Sequence, residues 1–434
     1  MSAGIADDLF DEIGDELSRW GHERSEAGKR PTADEEVDQA EQLLVDALEE
    51  LNRRRLLGGE EPLSSGDEAV LAEEVRTRLF GFGALDRLLS DPSIENVHAN
   101  GCDRVFVTRA GGERAPGPPL AATDAELIEL IRRVAALGGR TERRFDDAKP
   151  LLNLRLPDGS RLSAVMHVAG RPSLSIRRHR HTDVTLADLV ELGTLEPALA
   201  EVMAAAVSRP NPFNIVVAGG TDAGKTTFLR ALLAELDPAE RLVVIEDALE
   251  LQLERDADRH PNVVELETRE ANVEGAGEIT MRDLARHALR MAPDRVIVGE
   301  VRGGEVLEML LAMSQGNDGS LCTLHADSSA SALTKIATYA LMASERMPIE
   351  ATNLLIAQSV NLVVHLTRWP DGTRVVSSVR EVTAADGGRV ASNEVFALDS
   401  GGRARFAHPF STRSLDRLVA NGLDPTVLHE AAWA

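Results

Sequence analysis

The stretch Gly219-Gly220-Thr221-Asp222-Ala223-Gly224-Lys225-Thr226-Thr227 decides the reading of this chain. It follows an apolar run, Ile215 to Ala218, and opens a helical one, Phe228 to Leu236. It therefore matches G-x-x-x-x-G-K-[ST] in the strand-to-helix setting that the pattern requires. Glycines let the backbone wrap phosphates, so that successive N–H groups and the helix N-terminus point at negative charge. Lys225 reaches the β- and γ-phosphates, and the Thr226 hydroxyl suits Mg²⁺. Lysine occurs only at positions 29, 149, 225 and 335, so its presence here argues against a purely structural glycine turn. Asp222 places a carboxylate beside a phosphate site, and its side chain has to point outward. All nine residues, Gly219, Gly220, Thr221, Asp222, Ala223, Gly224, Lys225, Thr226 and Thr227, are candidates for nucleotide contact.

Apolar runs that follow, Leu242 to Ile245, Val296 to Val298, Leu321 to Leu324 and Leu362 to Leu366, alternate with helical stretches at 281–291 and 306–313. Runs this continuous, separated by helices, predict parallel strands covered on both faces. The second ends in Glu246-Asp247 with Glu250 close behind, and the third in Gly299-Glu300-Val301-Arg302-Gly303-Gly304-Glu305. Ligands of an open parallel sheet gather at the carboxyl ends of its strands, so both acid clusters are expected to face the phosphate. An apolar strand ending in Glu is what a nucleotide hydrolase needs to orient water or help hold Mg²⁺. Glu300 and Glu246 are thus catalytic and metal candidates with Thr226. Gly299 replaces the Asp common before such a Glu, which predicts metal contact through water. His325, at the end of the next strand, is a candidate γ-phosphate sensor or support for Glu300.

Upstream, apolar residues recur at helical spacing at Ile5, Leu9, Ile13, Leu17 and Trp20, then at Val37, Leu44, Leu48 and Leu51, and at Leu71, Val75 and Leu79. Acids back each stripe, and loops are expected at Ala27 to Pro31 and Gly58 to Gly66. This module either caps the next domain or docks a partner. Residues 105–107, 152–156, 162–165 and 174–176 read as short alternating strands, with Pro157-Asp158-Gly159-Ser160 as a turn. They predict a small α+β domain closed by the cationic run Arg177-Arg178-His179-Arg180-His181, with a hinge near 180 to 185. The tail, residues 373–382 and a strand near Phe406, reads as antiparallel additions at a sheet edge. The expected divisions are 1–84, 85–181, 182–210, 211–385 and 386–434.

Composition limits the function. Seventy-one acidic against 47 basic residues give a net charge of −24, which repels phosphate backbones and anionic headgroups. Nucleic-acid binding is not expected, and no aromatic-lined basic groove suggests a helicase. Cys102 and Cys322 form no CxxC pattern, so neither a disulfide framework nor zinc is implied and a reducing cytoplasm fits. The opening Met-Ser-Ala-Gly-Ile-Ala-Asp-Asp lacks a basic start and apolar run, and no stretch reaches the roughly 18 apolar residues of a membrane span. Membrane contact is expected through partners.

The phosphate loop, Ile245-Glu246-Asp247-Ala248-Leu249-Glu250-Leu251, residues 290–305 and Gly319-Ser320 through His325-Ala326-Asp327-Ser328 together resemble the secretion ATPases of the type II/type IV superfamily: in order, their Walker A, Asp box, Walker B and His box. The Gly-Glu-Val-Arg-Gly-Gly-Glu form, with Leu156-Pro157-Asp158-Gly159-Ser160-Arg161, is similar to the CpaF-type branch that powers tight-adherence pili. The absence of a tetracysteine zinc module argues against the type II branch. The resemblance spans about residues 85–385. It implies a RecA-like P-loop motor domain with a mainly parallel sheet, preceded by a small α+β, PAS-like sensing domain, the acidic helical module standing before both. It further implies a homohexameric, Mg²⁺-dependent ATPase at the cytoplasmic face of the inner membrane, working on a platform protein there. Glu300 then matches the catalytic carboxylate, Glu246 the Asp-box acid and His325 the His-box residue. Arg155, Arg161 and Arg177 match the stretches that supply phosphate-contacting arginines. The same engine could serve a conjugative or effector-exporting type IV machine. A nucleotide-binding scaffold with negligible hydrolysis is the reading from another class.

Overall fold

The computed structural model describes residues 2–26, 33–59, 61–80, 84–109, 112–138, 145–156, 158–178, 183–271, 275–386 and 388–428. The expected loop at Ala27 to Pro31, Pro157 of the expected turn, and His179, Arg180 and His181 of the cationic run lie outside them. The chain divides into two compact units, Met1–Arg178 and His179–Ala434.

In the first unit, helices α1 (Ser2–Glu26), α2 (Ala33–Leu57) and α3 (Ser65–Phe80) each carry an apolar stripe. Leu9, Ile13, Leu44, Leu48, Leu71 and Val75 meet in a small buried core. After α4 (Ala84–Ser90) come β1 (Ile94–Asn100), β2 (Val105–Arg109), β3 (Arg114–Pro116), α5 (Asp124–Gly138), β4 (Leu151–Arg155), β5 (Arg161–Val165) and β6 (Ser173–Arg177). The six strands form one sheet in the order β3-β2-β1-β6-β5-β4, antiparallel throughout. Alternation sends Val97, Leu154, Leu162 and Ile176 into a core with Leu127, Ile131 and Val134 of α5. On the other face Arg155 lies opposite Arg161, and Arg161 opposite Arg177. Directly opposed residues share a face, so three guanidinium groups form one cross-strand row.

The second unit starts with α6 (Leu186–Glu191), closed by a Thr185–Asp188 capping box, and α7 (Pro197–Val207). It continues through β7 (Ile215–Gly219), α8 (Lys225–Leu233), β8 (Leu242–Glu246), β9 (Val263–Glu267), α9 (Met281–Ala288), β10 (Arg295–Val301), α10 (Val306–Ser314) and β11 (Leu321–His325). Then come α11 (Ser329–Met342), α12 (Ile349–Ser359), β12 (Leu362–Arg368), β13 (Arg374–Asp386), β14 (Arg389–Leu398), β15 (Ala404–Phe406) and α13 (Thr412–Ala420). The sheet order is β15-β14-β13-β12-β7-β11-β10-β8-β9. From β12 to β9 all pairs are parallel, and β13, β14 and β15 add on antiparallel.

Every residue of β7 and β8 is buried, because helices cover both faces. Ile215, Val217 and Val244 enter one core with Met203, Phe228 and Leu232. Their neighbours Val216, Val243 and Ile245 enter a second with Met309, Leu310 and Ile336. This two-sided burial explains the unbroken apolar runs. Strand β9 is additional to the sequence reading: it is a half-buried edge strand whose two glutamates mask its pattern. Residues 386–434, expected as an extension, carry β14 and β15 of the same sheet, and Phe396, Phe410 and Leu418 lie in the first core. Among the described residues, no helix is long and apolar enough to cross a membrane.

Candidate phosphate-binding and catalytic site

Parallel register is what gathers the sequence-predicted residues. Gly219 at the end of β7 lies opposite His325 at the end of β11, and Ile245 of β8 lies opposite Val298 of β10. The carboxyl ends of four strands thus share one rim of the sheet, as a parallel open sheet requires of a binding crevice.

The phosphate loop rises from that rim into α8. Gly224 is the helix N-cap at φ +94°, a left-handed conformation that a side chain disfavours. No side chain caps the helix, and a helix N-terminus opening from a glycine turn favours negative charge. Asp222 also adopts positive φ, +61°, and its carboxylate turns away from the loop to Arg368 and Arg374. Lys225 is buried, at 8% exposure. Its Nζ donates to the carbonyls of Gly219 at 3.2 Å and Gly220 at 2.9 Å, and lies 3.3 Å from His325 Nδ1. The Thr226 hydroxyl donates to Glu250 Oε2 at 3.3 Å.

His325 connects the lysine to Glu300. Burial, and then the Lys225 charge, push its pKa down, so the ring is neutral at pH 7. The Lys225 ammonium, which can only donate, faces both ring nitrogens, 3.3 Å from Nδ1 and 3.5 Å from Nε2. Nε2 lies 2.6 Å from Glu300 Oε1. The contact is close without the alignment of a hydrogen bond, and Glu300 Oε1 is a buried oxygen with no hydrogen-bond donor. Its other oxygen is tied at 2.6 Å to Arg302 Nη2, and Arg302 reaches Asp247 Oδ2 at 3.3 Å. The β10–β11 register slips between Val298 and Val301. Such a bulge re-aims side chains, and here it is where Glu300 turns toward His325.

Glu246 has a different setting. It is 3% exposed, and its carboxylate accepts the backbone N–H groups of Glu250 and Leu251, each at 3.1 Å from Oε2. Glu246 therefore shapes the turn that carries Glu250 to Thr226. This packing also explains Gly299: a Cβ there would stand 2.6 Å from Glu246 Cγ, so the Asp common at that position has no room. Burial pushes the Glu246 pKa up to about 8, against the opposing bond from Leu251 and with help from the Glu250 charge. A carboxyl whose pKa rises on folding binds more protons in the native state, so stability falls as pH climbs from about 4.5 to about 8. Glu246→Gln is expected to remove that slope and to stabilise the second unit at pH 8 by about 2–4 kcal/mol. Urea unfolding of the nucleotide-free protein across this range checks it; an unchanged slope would show that Glu246 is already ionised.

Oxygen donors from Thr226, Glu250 and Glu300 are of the kind Mg²⁺ takes. That ion is usually held by one or two carboxylates plus substrate phosphates, so the arrangement fits a Mg²⁺–nucleotide. Arg155, Arg161 and Arg177 belong to the first unit, where they form the row described above. Sequence reading had overlooked Arg302, Arg368 and Arg374 as members of the site. Arg302, just past the end of β10 and two residues from Glu300, was legible by its nearness in sequence, whereas the other two had no local signal.

A family model described as Type II/IV secretion system protein matches residues 79–408. A Mycobacterium tuberculosis protein named for conjugal transfer is 37% identical over 346 residues, covering 77% of this chain and 94% of that protein. The Brucella suis type IV secretion system protein VirB11 is 31% identical over 341 residues, 72% of this chain and 92% of its own. Among solved structures, the Legionella pneumophila ATPase DotB has the same fold, with a TM-score of 0.50 at 18% identity over 70% of this chain and 81% of that one.

Proposed function

Because the chain belongs to the Type II/IV secretion system protein family, we propose that it is a Mg²⁺-dependent ATPase that drives a pilus or secretion machine. The observation that carries this reading is the gathering of a phosphate loop, a buried Glu300 oxygen without a donor, and a neutral His325 on one sheet rim. Lys225 and the N–H groups of the loop bind the triphosphate. Thr226, Glu250 and Glu300 hold the metal, Glu246 acting through the turn it shapes and through water. Bound Mg²⁺ neutralises charge on the phosphates. Glu300 takes a proton from the attacking water, and His325, whose Nε2 lies 2.6 Å from Glu300 Oε1, stands beside that carboxylate and the γ-phosphate. Arg155, Arg161 and Arg177 add phosphate contacts, a role that their cross-strand row suits.

In this reading residues 85–181 sense and residues 211–385 move. The protein works as a homohexamer at the cytoplasmic face of the membrane, on a platform protein there, and the acidic helices of residues 1–84 dock a further partner. The tight-adherence pilus is the preferred machine, supported by the Gly299-Glu300-Val301-Arg302-Gly303-Gly304-Glu305 form. A conjugative or effector type IV machine is the second reading, favoured by the names of the relatives. Neighbouring genes, prepilin-like or channel-like, separate the two. Steady-state phosphate release by the purified protein, with mass measurement in a non-hydrolysable ATP analogue, tests motor against scaffold. An assembled ring without turnover would sink the motor reading.

A further inference from the structure

The phosphate loop contains an acid, Asp222, where a triphosphate must approach. Its carboxylate lies 2.8 Å from Arg368 Nη1 and 3.0 Å from Arg374 Nη2, and Arg374 Nε donates to the Asp222 main-chain carbonyl at 2.9 Å. The two arginines end β12 and begin β13, and they are register partners across that antiparallel pair. Like charges directly opposite each other destabilise a sheet, unless an anion lies between them. Asp222 is that anion. Strand β12 delivers the hairpin to the loop, because it pairs with β7 up to Leu366 opposite Gly219. The stem of Arg374 also closes over Gly224, where a Cβ would meet its Cδ at 3.2 Å.

We propose that Arg368 and Arg374 are positioning residues for the nucleotide: together they cancel the Asp222 charge and pin the tip of the phosphate loop at its positive φ, so that an acid in the loop does not oppose the triphosphate. The inference rests on the ATP-site reading above. It predicts a charge dependence that direct phosphate contact by the arginines does not. Removing the arginines exposes Asp222 to the ligand, and removing Asp222 as well relieves the penalty.

The test is binding of the fluorescent analogue mant-ATP to the full chain. Arg368→Gln with Arg374→Gln is expected to weaken Kd by about tenfold or more, an effect that grows at low salt. Adding Asp222→Ser is expected to restore Kd to within about threefold of wild type, the non-additivity that marks coupled groups. A triple variant as weak as the double, or a double variant unchanged, overturns the proposal. A wild-type chain that binds no mant-ATP refutes the nucleotide reading instead. The clasp is then judged by amide hydrogen exchange at residues 219–224: faster exchange in the double variant supports it, and equal exchange overturns it.

Discussion

Glu300→Gln is expected to keep ATP affinity close to wild type and to hydrolyse it about 10²- to 10⁴-fold more slowly, the range over which a positioned general base acts. The amide keeps the shape and the contact to Arg302, 2.6 Å from Glu300 Oε2, but it cannot accept a proton. We propose Glu300 rather than Glu246 as the base because the two carboxyls are engaged differently. Glu246 is bound by two backbone N–H groups and carries its proton up to about pH 8. Glu300 keeps one buried oxygen with no hydrogen-bond donor, facing a neutral imidazole. Single-turnover phosphate release on preloaded enzyme measures the effect, and an undiminished rate would remove Glu300 from that role.

Lys225→Ala is expected to weaken ATP binding by about 100-fold or more and to abolish turnover. The ammonium holds the loop by donating to the carbonyls of Gly219 and Gly220, so its loss removes both the point charge for the phosphates and the fastening of the cradle. Partners left unsatisfied in a buried place cost about 1–3 kcal/mol each, on top of the lost charge. Lys225→Arg is no rescue, because a planar fork does not replace a compact ammonium at a buried site. A second readout is independent of ATP. The Lys225 charge is the second cause, after burial, of the lowered His325 pKa, so Lys225→Ala moves that pKa upward in an NMR titration. An unmoved His325 together with wild-type mant-ATP affinity would show that Lys225 faces neither group.

The hairpin clasp extends this electrostatic account to the outer side of the loop. A phosphate site in a chain of net charge −24 depends on local charge. Lys225 donates to the loop carbonyls of Gly219 and Gly220, and the Arg368–Arg374 pair compensates Asp222. The loop acid that would weaken binding in isolation becomes the counter-ion that lets two arginines stand opposite each other.

Much of this was legible along the chain. The glycine-rich turn with Lys225, the apolar runs and the strand-end acids are local patterns, and in a parallel sheet local patterns determine which ends face a ligand. The helical stripes of the first 80 residues likewise predict the buried positions at Leu9, Ile13, Leu44, Leu48, Leu71 and Val75. Harder to read were features whose cause lies far away in sequence. Edge strand β9 mixes glutamates with valines, so its pattern is that of a solvated loop. Gly299 looks like a missing acid until Glu246 is seen filling the space of its absent side chain.

By itself, then, the order of residues determined the phosphate loop, the two-sided parallel sheet and the identity of the acids and histidine at its strand ends. These follow from backbone geometry and burial period, which act over a few residues. Only the tertiary structure decided how the two glutamates divide. Burial and the N–H groups of Glu250 and Leu251 engage Glu246, and a bulge sends Glu300 to His325. It alone also brought Arg368 and Arg374 to Asp222, some 150 residues away in sequence. Desolvation and Coulomb attraction depend on distances in space, which sheet order sets and local sequence does not record.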